Sequence, residues 1–366
     1  MPEIRLEHVS KIFGKKVIAV NDVSLTIEDG EYISLIGPSG CGKTTTLRLI
    51  AGTIFPTHGQ IYFDGKDIKE VPIQERNIGF VFQHFAIFPH MTVWENVAYS
   101  PTVRGKKWSE IEELVEKSLK AVDLVKKAES FPSELSAPEL QQTALARVLA
   151  SKAKILLLDE PLGALDQKVR EEFQIFLRDL VKREHLTAIH VTHDQSEALG
   201  ISDRVAVMNR GKLIQVGTPD ELLFEPQHIF TSFFVGESDF IEGIIIENKD
   251  KFAKIKVGKT IIEAFNPHLA KGSRVVIAQR REFYEITKEQ ATAKNYLPGI
   301  VIEDKFLGIL RRVRIKLENE QIIEAKIHAK HPTRFHQGEK VKVIIRPERT
   351  RCFAYPKEGI QEAIRM

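Results

Sequence analysis

Apolar positions in the first two-thirds of the chain follow two alternating periods. Residues 4–9 alternate apolar and polar like a half-buried strand, 17–21 and 23–27 read as further strand, and Asp29-Gly30 reads as a turn. Residues 32–36 show the pattern of a buried strand, and 45–51 open a helix. A short strand over 59–65 ends in a turn, and 78–83 is a second apolar run closed by the amide of Gln83. From residue 109 to about 125 the period is helical, with Ser109 the expected N-cap and charges along one face, as on a solvated surface helix. Residues 135–140 precede a helix over 141–150, and 154–158 form an apolar strand that runs into Asp159-Glu160-Pro161. A helix extends to about residue 184, a buried strand over 187–194 ends at His193, 204–208 and 213–215 pair as a hairpin, and 219–224 begin a helix. Strands alternating with helices predict an α/β domain with a parallel sheet.

From about Ser238 the helical period gives way to β-rich runs at 240–246, 252–257, 259–264, 274–278, 299–303, 310–317, 321–327, 341–345 and 351–355. Turns such as Asn248-Lys249-Asp250, Val257-Gly258 and Gln337-Gly338-Glu339 separate them, which predicts a small all-β barrel. Residues 240–286 and 297–353 look like two halves of one OB-like module. The predicted domains are 1–236 and 237–366.

Composition narrows the function classes. A chain of 366 residues with 53 basic and 50 acidic side chains carries a net charge of +3, too balanced to pull on nucleic acid in bulk. Basic and aromatic residues of the β-rich part, as in Arg280-Arg281-Glu282-Phe283-Tyr284, are mixed with acids, so a nucleic-acid groove is not expected. The two cysteines, Cys41 and Cys352, form no disulfide framework and fit a reducing compartment. No apolar run approaches the roughly 20 residues needed to span a bilayer, and residues 1–6 lack a signal-peptide pattern. These signs point to the cytosol, with any membrane role supplied by a partner.

The chemistry centres on Gly37-Pro38-Ser39-Gly40-Cys41-Gly42-Lys43-Thr44, which reads G-x-x-x-x-G-K-T between a predicted strand and a predicted helix. Its glycines let successive backbone N–H groups curl toward one anion, Lys43 reaches the β- and γ-phosphates, and the Thr44 hydroxyl suits Mg²⁺. The helix opening at Thr45 adds its dipole. An apolar strand ending in Asp159 beside such a loop organises Mg²⁺, and Glu160 is the natural general base for an attacking water. Gln83 at a strand exit can touch the metal and sense the γ-phosphate, or be a solvated loop amide; His193 can hold the water or the γ-phosphate, or be an ordinary loop residue. Phe13 can stack on adenine or be an edge phenylalanine, and the apolar loop 84–91 is either core or a docking surface.

The order of phosphate loop, Gln83, Leu135-Ser136, Asp159-Glu160, Leu165-Asp166 and His193 resembles the ATP-binding subunits of ABC transporters. Phe80-Val81-Phe82-Gln83, Leu157-Leu158-Asp159-Glu160-Pro161-Leu162 and Val191-Thr192-His193-Asp194-Gln195-Ser196-Glu197-Ala198 carry the resemblance most closely. More narrowly, the chain resembles importer ATPases for sugars, polyamines, phosphodiesters or anions, which add a β-rich C-terminal domain; Ile344-Ile345-Arg346-Pro347-Glu348 matches a phrase common there.

The resemblance implies a P-loop NTPase domain of ABC type followed by an OB-like domain that packs copy against copy and receives regulatory signals. It implies ATP and Mg²⁺ as cofactors. Phe13 would stack on adenine, Gly37, Pro38, Ser39, Gly40, Cys41, Gly42, Lys43, Thr44 and Thr45 would hold phosphate, and Thr44, Gln83 and Asp159 would serve the metal. Glu160, His193 and Gln83 would be catalytic, Asp166 would lie at a dimer seam, and residues 85–91 would accept a helix of a membrane permease. The implied partners are permease subunits, a solute-binding protein and a second ATPase copy, on the inner face of the cell membrane.

One departure stands out. The family signature L-S-G-G-Q, which caps ATP held by the opposite subunit, is Leu135-Ser136-Ala137-Pro138-Glu139 here, followed by Leu140-Gln141-Gln142. Pro138 has no N–H to donate, Glu139 adds a negative charge, and Ser136-Ala137-Pro138-Glu139 is itself a capping-box pattern. The expectation is a homodimer with weakened sites, or a pairing with another ATPase that lends a normal signature. An ATP-binding regulatory subunit with little turnover is the alternative.

Overall fold

The first strands are set by β-branched and apolar residues at alternate positions. In the computed structural model, which describes residues 3–14, 16–266, 269–288 and 295–365, β1 (Ile4–Phe13) and β2 (Val17–Ile27) pair antiparallel. The two segments predicted over 17–27 form one strand, with Asp22 at φ +55° at one of its register shifts. β3 (Tyr32–Ile36) leads through the glycine-rich loop into α1 (Lys43–Ala51). β4 (His58–Phe63) and β5 (Lys66–Asp67) complete an antiparallel sheet of order β2-β1-β4-β5.

A segment of three helices follows β6 (Ile78–Val81): α2 (Val93–Val103), α3 (Trp108–Ala121) and α4 (Ala137–Ala150). Ser109 is not the cap of α3. Lys107 holds that position, its N–H donating to Glu110 Oε2 at 3.3 Å, and the helix stops at Ala121 instead of near 125. α4 begins at Ala137, four residues ahead of the sequence expectation, because Ser136 and Glu139 close the cap and Pro138 sits where a missing N–H costs nothing. Then come β7 (Ile155–Asp159), α5 (Gln167–Arg183), β8 (Thr187–Val191), α6 (Gln195–Ile201), β9 (Arg204–Asn209) and β10 (Lys212–Gly217). The six-stranded sheet has order β10-β9-β3-β8-β7-β6, parallel except for the β9–β10 hairpin. Strands β3, β7 and β8 are almost wholly buried, which explains their mostly apolar composition.

The chain divides into two compact units, Met1–Pro219 and Asp220–Arg365, so the division falls 17 residues before the predicted 236/237 boundary. The helical period of α7 (Pro219–Phe224) and α8 (Ile229–Gly236) suggests membership of the preceding α/β domain. Their side chains say otherwise. Ser232 Oγ bonds Ser238 Oγ at 2.9 Å, and the rings of Phe233 and Phe240 lie 6.3 Å apart.

Besides these helices, two short 3-10 turns and the short α9 (Ile360–Ala363), the described residues of the second unit are β-rich. Its strands are β11 (Ser238–Lys249), β12 (Phe252–Val257), β13 (Thr260–Phe265), β14 (Arg274–Arg280), β15 (Glu285–Lys288), β16 (Tyr296–Leu307), β17 (Leu310–Leu317), β18 (Ile322–His328), β19 (Lys340–Ile344) and β20 (Thr350–Ala354). They form two antiparallel sheets of order β13-β12-β11-β14-β20 and β18-β17-β16-β19-β15. The two halves read from sequence are therefore present, but each hands its fifth strand to the other's sheet. The short β15, absent from the predicted runs, pairs with β19 of the second half, and β20 pairs with β14 of the first. Equivalent glycines mark the repeat. A Cβ at Gly243 would meet Ile255 Cγ2 at 2.4 Å, and one at Gly299 would meet Ile315 Cγ2 at 2.5 Å. Cys352 is buried in this core, which pushes its thiol up to about 12.

Candidate functional site

In an open parallel sheet, the chain leaves the carboxyl ends of the strands at one edge, where ligands bind. Register brings the functional residues to that edge. Leu35 of β3 and Asp159 of β7 both lie opposite Val191 of β8, and Leu158 lies opposite Val81 of β6. The next residues out of the sheet are the phosphate loop, Glu160, Thr192-His193 and Phe82-Gln83.

The phosphate loop has the backbone its glycines predict. Gly42 holds φ +109°, and a Cβ there would meet Ala19 O at 2.3 Å; at Gly37 one would meet Met208 O at 2.1 Å. Ser39 and Gly40 are exposed at its mouth, with Pro38 partly so. Lys43 is buried, its Nζ donating to Gly37 O at 2.7 Å and Pro38 O at 3.0 Å and lying 3.8 Å from Cys41 Sγ. Burial raises the Cys41 thiol above its ordinary value, so it packs as a small apolar group. The N-cap of α1, Gly42, brings no side-chain cap, and no acid stands in the first turn, which leaves a positive helix end. Thr45, next along that turn, is half-buried.

The Thr44 hydroxyl donates to Asp159 Oδ1 at 3.1 Å. Burial pushes the Asp159 carboxyl above its ordinary range, against the Thr44 bond and the charges of Arg48 and Lys43. Glu160 Oε2 is the meeting point of the opposite wall. Gln83 Nε2 donates to it at 3.3 Å, and His193 Nδ1 lies 3.3 Å away. Glu160 adopts φ +49°, a left-handed conformation a glutamate takes only when its surroundings impose it; its N–H donates to Val191 O at 2.9 Å. Hydroxyl, carboxylate and amide oxygen form the donor set a hard divalent cation prefers, so these residues fit Mg²⁺. Among the described residues no group of three His, Cys, Asp or Glu side chains is placed to hold a metal. Mg²⁺ ordinarily takes few protein ligands beside phosphates and waters.

The remaining predicted residues lie around this centre. Asp166 caps α5, accepting from Val169 N–H at 3.2 Å. Phe13 ends β1 with an exposed ring, and Lys11 Nζ stands 5.2 Å from its centroid. Ser136 opens α4, where Glu139 Oε2 accepts from both its N–H and its hydroxyl, each at 2.8 Å. Those two bonds and Lys127, at 3.4 Å, hold the Glu139 carboxyl below its ordinary range.

The loop over 84–91 is a partly exposed surface and not core. Phe85 and Ala86 both take left-handed φ, and Phe88 packs on Tyr99 with ring centroids 4.6 Å apart. Two residues that sequence reading passed over pin this loop. Asn96 accepts from Phe88 N–H and donates to the carbonyls of Phe88, Met91 and Thr92. Arg147 donates to Ala86 O at 2.5 Å and lies over the Phe88 ring. A lone buried asparagine and an arginine inside an apolar helix were the available signals.

A glycine-rich loop at a helix N-terminus, backed by Asp159, Glu160 and His193 on adjoining strands, defines a phosphate-loop nucleotide hydrolase. Residues 20–163 match the ABC transporter family. A spermidine/putrescine import ATP-binding protein of Thermotoga maritima is 38% identical over 335 residues, covering 90% of this chain and 91% of its own length. One of Mesorhizobium japonicum is 40% identical over 356 residues, covering 93% and 95%. A dimeric bacterial ABC transporter cassette superposes with a TM-score of 0.53 at 32% identity, over 59% of this chain and 98% of that one. The cbiO1 protein of Clostridium perfringens, part of an ABC transporter complex, gives 0.57 at 28% identity, over 60% and 89%. The chain belongs to the ABC transporter family as an ATP-binding subunit with ATPase chemistry. No helix among the described residues is long and apolar enough to cross a membrane.

Proposed function

We propose that this chain hydrolyses ATP for an importer whose membrane subunits are separate chains. The reading rests above all on the convergence of Lys43, Thr44, Asp159, Glu160, Gln83 and His193 at one edge of the parallel sheet. Lys43 and the α1 N-terminus bind the β- and γ-phosphates. Thr44 and Asp159 would hold Mg²⁺, which when bound neutralises phosphate charge. Glu160 accepts the proton of the attacking water, Gln83 orients the Glu160 carboxylate, and His193 holds the γ-phosphate in line. Phe13 stacks on the adenine, and Asp166 lies at the seam between two ATPase subunits. The half-exposed apolar loop over 85–91 accepts a permease helix, with the chain on the inner membrane face. The names of the relatives point to spermidine and putrescine as the solute class, delivered by a solute-binding protein.

A second reading draws on Glu139. Its carboxylate already takes the Ser136 N–H and hydroxyl that would otherwise face the partner's ATP. A homodimer then closes weakly at both sites, whereas a partner ATPase with an intact signature leaves one site strong; with a weak enough cap the chain is a regulatory ATP-binding subunit. Light scattering of Glu160→Gln with ATP and Mg²⁺ separates these. A dimer supports the homodimeric ATPase, and a persistent ATP-bound monomer supports the paired or regulatory subunit.

A further inference from the structure

Beneath His193 lies a buried polar chain that the hydrolytic mechanism does not use. The side chain of His190, on β8, is fully buried, and Tyr32, the first residue of β3, is buried with it. Tyr32 OH is 3.1 Å from His190 Nδ1. His190 Nε2 is 3.0 Å from Glu197 Oε1, and Glu197 Oε2 accepts from the Thr192 hydroxyl at 2.9 Å. The same hydroxyl accepts from Asp194 N–H at 3.0 Å. Asp194 in turn caps α6 through Glu197 N–H at 3.1 Å and meets Arg170 at 3.3 Å. Arg170 reaches back to Leu165 O at 2.9 Å, next to Asp166.

Both neighbours of His193 are therefore tied to Glu197, Thr192 through the buried carboxylate and Asp194 through the Thr192 hydroxyl and the Glu197 N–H, while His193 itself stays exposed with Nδ1 near Glu160. A core strand needs no such group, because apolar residues of similar size fill it at lower desolvation cost. Thr192 O–H donates to Glu197 Oε2 and Asp194 N–H donates to Thr192, while His190 Nε2 lies 3.0 Å from the other Glu197 oxygen. Burial keeps the Tyr32 phenol protonated beside His190 Nδ1.

We infer that Glu197 and Thr192 are positioning residues for His193: they set the backbone from which the imidazole reaches Glu160 and the γ-phosphate. The inference rests on the proposed role of His193.

Removal of Glu197 risks the fold, since it strands His190. Thr192→Val is close in shape and deletes both hydroxyl bonds, and Thr192→Ser keeps them. ATPase kcat and KM of the full chain are measured for both variants, alone and on a His193→Ala background, with thermal midpoints. Thr192→Val is expected to lower kcat about 10- to 100-fold with KM changed less than about threefold, the scale of a lost bond to a charged group. Thr192→Ser restores kcat to within about threefold, and Thr192→Val costs nothing further once His193 is gone. Unchanged kcat in Thr192→Val, or an equal loss in both backgrounds, overturns the inference while the His193 reading stands. A His193→Ala variant with full turnover sinks both.

Discussion

The two helix N-termini that the proposed function assigns to phosphate, those of α1 and α4, are built in opposite ways. α1 begins after Gly42 with no capping side chain and no acid in its first turn, so no side chain of its own occupies its positive end. α4 begins after Ser136 with Glu139 in its first turn and Pro138 at a position that donates nothing, so its positive end is already occupied by the chain's own carboxylate. Both helices have the same dipole. What differs is local hydrogen-bond satisfaction, which in α4 goes to the helix's own cap.

The sharpest way to break this contrast is Lys43→Ala. Turnover should fall about a thousandfold, read by phosphate release, with the melting curve retained; near-normal turnover would mean that α1 is not the phosphate-binding end.

The second unit supplies a carboxylate in the reverse situation from Glu139. Burial raises Asp239 from the ordinary 3.8 to about 6, against the Arg281 ion pair and the Glu324 N–H bond. The folded state then holds this proton more tightly than the unfolded chain. Stability contributed by this group is full below about pH 4, falls by roughly 3 kcal/mol up to pH 6, and is flat above. Glu139, held low by Ser136, acts with the opposite sign: its contribution is present above the ordinary carboxylate range and is lost in acid. Denaturant melts of the full chain and of Asp239→Asn between pH 4 and 7 should differ in slope only in that window.

Replacing Ala137-Pro138-Glu139 by Gly-Gly-Gln should raise ATP turnover about tenfold by returning N–H donors and removing a charge. Unchanged turnover would show that Ser136 and the dipole suffice. The smallest effect is expected from Glu139→Ala alone, which should lower unfolding stability by about 1 kcal/mol through the lost cap, read by chemical denaturation.

Much of the fold was legible along the chain. The mostly apolar runs of β3, β7 and β8 are what two buried faces require, and the phosphate loop and Glu160 sit at fixed steps beyond them. Cap choice was less legible, since Lys107 takes the place expected for Ser109 on the strength of a backbone bond that any residue type can make. The polar chain through Tyr32, His190 and Glu197 was invisible, because its members lie up to 165 residues apart and each alone resembles filler.

Sequence alone determined the strand-and-helix alternation, the anion-binding loop and the carboxylates beside it, because these depend on local period and on spacing within one turn or strand exit. Only the tertiary structure decided that α7 and α8 join the β-rich unit, that β15 and β20 exchange sheets, and that Gln83 and His193 meet on Glu160. Those outcomes depend on which distant surfaces bury each other, and a single chain's local pattern carries no record of that choice.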